Sequence, residues 1–257
     1  MRRTIIAGNW KMYKTIGEAI ELANSLKREF FNLDYQDIDI VICPPFTALS
    51  EIGEVIADSN IHLGAQDVYL EDEGAFTGEV SPSMLKDTGV KFVIIGHSER
   101  RQYFAETNES VNKKIKAALK HDLVPIVCVG ETLSEREKGR TFAVLDDQVK
   151  NGLKDLNGED ILKVVIAYEP VWAIGTGKTA TAQQAQEAQK YIRDLLKSVY
   201  NKDIANKVRI QYGGSVKPDN ISELIRQPDV DGALVGGASL KFETFAEIVK
   251  KAAEIKK

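Results

Sequence analysis

Long apolar runs, an excess of positive charge and clustered cysteine or histidine are all missing from this chain, and each absence removes a class of protein. No apolar stretch approaches the length of a membrane-spanning helix. Lysine and arginine number 34 against 38 acids, a formal net charge of −4, so nothing draws the molecule to nucleic acid or to an anionic membrane. An anionic substrate would have to be attracted by local groups. Only two cysteines occur. Cys43 and Cys128 lie inside apolar, strand-like runs, where a reduced, buried thiol is expected. His62, His97 and His121 show no metal-ligand spacing, and neither do the cysteines, so no metal is expected. The opening residues, Met1-Arg2-Arg3-Thr4-Ile5-Ile6, run into a strand without the layout of a secretory leader. Cytoplasm is therefore the expected compartment, and the sequon-like Asn108-Glu109-Ser110 and Asn220-Ile221-Ser222 carry no meaning there.

What the chain does contain is enough apolar residue, 43%, for a sizeable core, with 28% charged residues for its surface. Eight short apolar runs recur along it: Ile5 to Asn9, Asp39 to Cys43, Ile61 to Ala65, Phe92 to Gly96, Leu123 to Val129, Val164 to Tyr168, Val208 to Tyr212 and Gly232 to Val235. The run from Ile61 is the weakest of them. Stretches of helical period fall between, including Thr15 to Phe30, Leu49 to Ile56, Thr181 to Tyr200 and Phe242 to Ile255. Such alternation predicts an α/β fold with a parallel sheet and helical crossovers. Eight units in a chain of this length fit one closed (β/α)8 barrel, and no compositional shift marks a boundary, so residues 1–257 are expected to form a single domain.

The chemistry-bearing residues share a position. Asn9, Lys11, His97, Glu169, Gly213-Gly214-Ser215 and Gly236-Gly237 all stand at or just beyond the C-terminal ends of predicted strands. In a closed barrel those ends converge on the face where active sites are built. A lone histidine at a strand end more often serves the fold. His97, however, precedes Ser98-Glu99-Arg100, which reads as a helix start, and a helix N-terminus disfavours imidazolium. Lys11 beside Asn9 and Trp10 supplies a fixed positive charge. The glycine pairs after the last two strands predict a backbone-amide cradle for phosphate. Glu135-Arg136-Glu137-Lys138 reads as a solvated helical turn.

The stretch Val164 to Thr181 is the most informative. Its strand ends at Glu169, and Pro170 removes a ladder donor and stops the strand. Val171-Trp172-Ala173-Ile174 then places apolar side chains on a connection expected to be exposed, and Gly175, Thr176, Gly177 and Lys178 complete a hinged lid. A carboxylate at the base of a closing lid points to chemistry shielded from water. Two decoys fail. Gly177-Lys178-Thr179 resembles the end of a P-loop, but Trp172 stands where that motif needs its first glycine. Gly175 to Ala180 fits a loose dinucleotide fingerprint, but it is detached from its strand and the expected acid, Asp194, lies in a helix. The long connection Gln66 to Ser81 carries Tyr69, Leu70, Phe76 and Val80. These need burial, either on their own domain or on a partner.

Read together, Ala7-Gly8-Asn9-Trp10-Lys11-Met12, Cys43-Pro44-Pro45-Phe46, Gly64-Ala65-Gln66, Gly74-Ala75-Phe76-Thr77-Gly78-Glu79, Ile95-Gly96-His97-Ser98-Glu99-Arg100-Arg101, Val129-Gly130-Glu131-Thr132, Ala167-Tyr168-Glu169-Pro170-Val171-Trp172-Ala173-Ile174-Gly175-Thr176-Gly177, Tyr212-Gly213-Gly214-Ser215 and Leu234-Val235-Gly236-Gly237-Ala238 resemble the triosephosphate isomerase family from end to end. The resemblance implies a TIM barrel and the interconversion of dihydroxyacetone phosphate and D-glyceraldehyde 3-phosphate in glycolysis and gluconeogenesis, without cofactor or metal. It makes Glu169 the base and His97 the group that polarises the carbonyl and moves protons between oxygens. Lys11 and Asn9 stabilise developing charge, and Gly175, Ser215, Gly236 and Gly237 donate to phosphate. Ser98 and Glu99 become resting partners of the base and the lysine. Phe76 and Thr77 become the tip of a loop docked into the second subunit of a homodimer. Two rivals stand beside it. Another phosphate-binding barrel isomerase should lack His97, Glu169 and the lid as a set, and a non-catalytic binding relative should have lost the base or the lysine.

Overall fold

The computed structural model describes residues 2–31, 37–175 and 179–255. Its strands are β1 (Thr4–Asn9), β2 (Ile38–Cys43), β3 (Ile61–Ala65), β4 (Phe92–Ile95), β5 (Val124–Val129), β6 (Val165–Tyr168), β7 (Arg209–Tyr212) and β8 (Gly232–Val235). They pair in sequence order and close, with β1 bonded in parallel to both β2 and β8. The expected strands are all present, β3 included, with ends displaced by at most one residue. Helices separate successive strands, except that the stretch between β3 and β4 is mostly the long connection, with the short helix Pro82–Asp87 at its end.

Most strand positions are apolar because both faces of the strands are covered, with Asp39, His62, Arg209 and Gln211 among the exceptions. Side chains alternate between two layers. Ile5, Ala7, Val41, Cys43, Phe92, Ile94, Ile126, Cys128, Val165, Ala167 and Leu234 form one buried cluster. Their neighbours Ile6, Ile40, Ile42, Val93, Ile95, Val127 and Ile166 belong to a second, larger cluster with Leu26, Ile52, Ile115, Leu145, Ile192 and Phe245 from the helices. The first fills the barrel and the second glues the helical ring to it. Packed on both sides, the strands present a rigid rim, and the rim at their C-terminal ends sets the spacing of the loops beyond it.

The helices begin where local chemistry allows. Thr107, Thr132 and Thr181 each cap a helix through the side-chain oxygen, and in each case the residue three positions on reciprocates, closing orphan amides of the first turn. In the long connection, Tyr69 packs against Phe76 with ring centroids 4.7 Å apart, yet Phe76 remains 41% exposed.

Candidate active site

Strand ends deliver each of the residues expected to do chemistry. Asn9 is the last residue of β1. Lys11, just beyond, adopts φ +52°, a left-handed conformation costing roughly 1–2 kcal/mol for a residue with a Cβ. It is held from both sides. Its amide donates to Asn9 Oδ1 at 3.0 Å, and its carbonyl accepts from Gln66 Nε2 at 2.8 Å. The ammonium then reaches Glu99 Oε1 at 2.5 Å.

His97 follows β4 and caps the helix Ser98–Tyr103. Its Nδ1 accepts the Glu99 amide at 3.2 Å, which assigns the proton of the neutral ring to Nε2. That Nε2 lies 3.0 Å from Glu169 Oε1. Glu169 itself is only 2% exposed. Its Oε2 accepts the Ser98 amide at 2.9 Å, whereas Oε1 receives no well-aligned hydrogen bond among the described residues despite its closeness to His97.

The pair's electrostatics derive from this geometry. Burial alone would raise the Glu169 carboxyl, but the His97 ring, the Ser98 amide and Lys11 outweigh it and hold the group below its ordinary value. Burial pulls His97 toward the neutral form, and the Glu169 and Glu99 carboxylates overcome that pull, leaving the ring above its ordinary value. Anything that draws Glu169 away from His97 therefore favours the neutral, Nε2-donating imidazole.

The glycine-rich turns complete the ring. Beyond β8 the chain enters a 3-10 turn, Gly237–Leu240, directly from Gly236, and a Cβ on Gly236 would stand 3.5 Å from Lys11 Cε. Asn9, Lys11, His97, Glu169, Gly175, Ser215, Gly236 and Gly237 all line one cavity of about 370 Å³. Residues drawn from five separated stretches thus meet as their shared position at strand ends requires. Ser98 meets Glu169 through its backbone amide, and Glu99 pairs with Lys11.

Of the lid, Pro170 to Gly175 is described, and Thr176, Gly177 and Lys178 lie outside the described residues. Val171–Ala173 forms a 3-10 turn, and Ile174 and Gly175 face the cavity, the latter at φ +68°. The expectation that this apolar stretch is exposed needs correcting. Ala173 is buried, and Trp172 is half-buried because its Nε1 donates to Glu131 Oε1 at 2.9 Å.

Glu131 is the residue that sequence reasoning passed over. It has no exposed surface and accepts from the Tyr168 hydroxyl at 3.1 Å and Arg136 Nη1 at 3.1 Å as well as from Trp172. It lies two residues past β5, so the positional signal used for the other site residues would have found it. The solvated-turn reading of Arg136 also gives way. Its guanidinium stacks 4.5 Å from the centre of the Trp172 ring, a cation–π contact.

Comparison with known sequences shows the family. The chain matches the family described as triosephosphate isomerase over residues 4–252. The triosephosphate isomerase of Carboxydothermus hydrogenoformans is 60% identical over 254 residues, covering 97% of this chain and 99% of that protein. That of Thermoanaerobacter pseudethanolicus is 58% identical, and that of Caldanaerobacter subterraneus subsp. tengcongensis 59%, each over 249 residues with the same coverage.

Proposed function

The chain belongs to the triosephosphate isomerase family and interconverts dihydroxyacetone phosphate and D-glyceraldehyde 3-phosphate, and we propose that the cavity at the C-terminal rim does this with Glu169 as the base. The reaction moves a proton between adjacent carbons through an enediolate. It is an aldose–ketose isomerisation whose electrons stay within the substrate. Glu169 removes the proton from the carbon beside the carbonyl and returns it to the neighbouring carbon. The observation that carries this reading is a carboxylate 2% exposed, bordering the cavity, with one oxygen fixed by the Ser98 amide and the other left without an aligned donor. A desolvated carboxylate whose second oxygen meets only the His97 ring, without an aligned hydrogen bond, can exchange that contact for a substrate proton.

His97 donates from Nε2 to the carbonyl oxygen and passes the proton between the two oxygens of the enediolate. Lys11 and Asn9 stabilise the charge that develops there. Backbone amides at Gly175, Ser215, Gly236 and Gly237 hold the phosphate, and that remote binding energy draws the lid over the reacting end. Excluding water suppresses loss of phosphate from the enediolate. One domain, residues 1–257, carries these groups. It works in the cytoplasm as a homodimer, with the connection around Phe76 and Thr77 docked into the partner. Met12 (94% exposed), Tyr13 (58%), Phe46 (40%) and Phe104 (65%), on other loops at the strands' C-terminal ends, provide the apolar surface for that contact. Retention of both base and lysine speaks against a purely binding role.

The test is conversion of D-glyceraldehyde 3-phosphate to dihydroxyacetone phosphate by the purified protein, beside Glu169→Gln. The variant should lose about 10²-fold or more in turnover. A variant within a few-fold of the parent ends the assignment of Glu169. Phe76→Glu combined with Thr77→Glu should sediment as monomer, and a persistent dimer would mean that the docking loop is wrongly placed.

A further inference from the structure

The ladder between β5 and β6 does not stop at the strand ends. Val129 pairs with Tyr168. Beyond that pair, the Val129 carbonyl accepts the Glu169 amide at 2.8 Å and the Glu131 carbonyl accepts the Val171 amide at 3.1 Å, on either side of Pro170, which has no amide hydrogen. Gly130, between them, lies flat against the base, and a Cβ there would stand 1.7 Å from the Glu169 carbonyl oxygen. Only glycine allows so close an approach.

In a parallel ladder the amide and carbonyl of Gly130 point the other way, toward the strand on the opposite side. That strand is β4, whose register with β5 ends at Ile95 and Val127 because the chain turns off through His97 into the helix Ser98–Tyr103. Gln148, from the helix Thr141–Gly152, fills the vacated place. Its Oε1 accepts the Gly130 amide at 2.7 Å, and its Nε2 donates to the Gly130 carbonyl at 3.2 Å. One side-chain amide thus supplies both bonds that a neighbouring strand would have made. Packing does little of this work, since a cavity of about 570 Å³ opens on Gly130, Gln148, Val171, Trp172 and Glu169.

We propose that Gln148 is a positioning residue for the base. It fixes the end of β5, and the peptide of Glu169 hangs from that end, so the carboxylate is aimed by a helix that never touches substrate. The proposal rests on Glu169 being the base. Proton abstraction tolerates little misplacement, with about 1 Å enough for large losses of rate.

Gln148→Glu keeps the size and an acceptor for the Gly130 amide but loses the donor to its carbonyl. Turnover should fall about tenfold with KM within about twofold, because the phosphate is held on the far side of the active-site cavity. In a Glu169→Asp background, where the base is already withdrawn, the same change should cost less than about threefold, as coupled residues do. Gln148→Met, which loses both bonds without adding charge, should repeat this pattern and serves if the glutamate variant fails to fold. Thermal unfolding is followed alongside. A lowered melting temperature with unchanged turnover overturns the proposal, as does an equal loss in both backgrounds or an effect confined to KM. Glu169→Gln assayed in parallel separates the two readings. If that variant stays active, the base assignment fails and takes this proposal with it. If it is inactive while the Gln148 variants match the parent, only the positioning role fails.

Discussion

Two buried carboxylates at opposite ends of the barrel, Asp231 and Glu169, are held in opposite ways. At the end where the strands begin, Asp231 has no exposed surface, yet it accepts from Arg2 Nε at 2.6 Å, Arg193 Nη2 at 2.7 Å and the Ile210 amide at 2.9 Å. Arg193 also reaches Asp229 at 2.6 Å and the Ala205 and Val208 carbonyls at 2.6 and 2.9 Å. Asp39 is gripped by Arg209 at 2.6 Å and Arg3 at 2.9 Å. At the end where the strands finish, Glu169 is as deeply buried but keeps one oxygen without an aligned donor. Lys11 there sits in a strained conformation and pairs with Glu99, whose side chain is 39% exposed. Saturated networks hold a barrel together, whereas a group that must exchange partners during a reaction has to be left incompletely satisfied. The same barrel supplies both because its ends are separated by the apolar interior.

Breaking the saturated end should cost stability and spare catalysis. Arg193→Met takes the guanidinium away from Asp229, which keeps only Gln186 Nε2 among the described side chains, and from Asp231, which keeps Arg2 and the Ile210 amide, and removing one partner of a buried ionic network costs about 3–5 kcal/mol. Turnover per folded site should stay within about twofold of the parent, and the deficit should appear in urea or thermal unfolding. If turnover falls in step with stability, the two ends are not independent. Breaking the reactive end should do the reverse. Lys11→Met removes the charge that faces the cavity, with an expected loss of about 10²-fold in kcat/KM, the usual magnitude for a donor to developing negative charge. Unfolding should move by no more than about 1 kcal/mol, since the Lys11–Glu99 pair is partly exposed and such pairs contribute little. A large drop in stability with modest kinetic change would reverse the roles assigned to the two ends.

The same contrast explains what the sequence made legible. Strands buried on both faces announce themselves as apolar runs, and the reactive residues are legible because each stands just past such a run. His97, Glu169 and Gly236 could be placed at one rim before any side chain was located. The saturated end has no such local mark. Asp39 and Arg209 are 170 positions apart, and neither differs from a surface charge until the barrel closes. Gln148 sits in mid-helix with no feature of its own, because its role is defined by where β4 leaves the sheet. Arg136 misleads for a related reason. Its charged neighbours mark a solvated turn, while the group that recruits it, Trp172, lies 36 positions further on. Positions fixed by the end of a strand are readable, and positions fixed by closure are not.

Acidity and alkalinity should also act on different ends, with the smallest effect at His97. For Asp39, burial alone would raise the carboxyl, but His62 and Arg209 hold it far below the usual range. A depressed carboxylate stabilises the fold above its unfolded value, about pH 3.9, and that support is lost only as pH falls toward the folded value. For His97 the sign is reversed. With its pKa raised by Glu169 against the pull of burial, it supports the fold fully below its unfolded value, about pH 6.5, and that support is lost as pH rises through the folded value. Glu169→Gln removes the carboxylate while leaving burial and Lys11, both of which lower the ring, so the His97 imidazole should titrate at lower pH in the variant than in the parent when followed by NMR. An imidazole midpoint that stays or rises in Glu169→Gln would show that the charge holding the proton on His97 comes from elsewhere. The incomplete pairing of Glu169 would then not set the protonation of the reactive end.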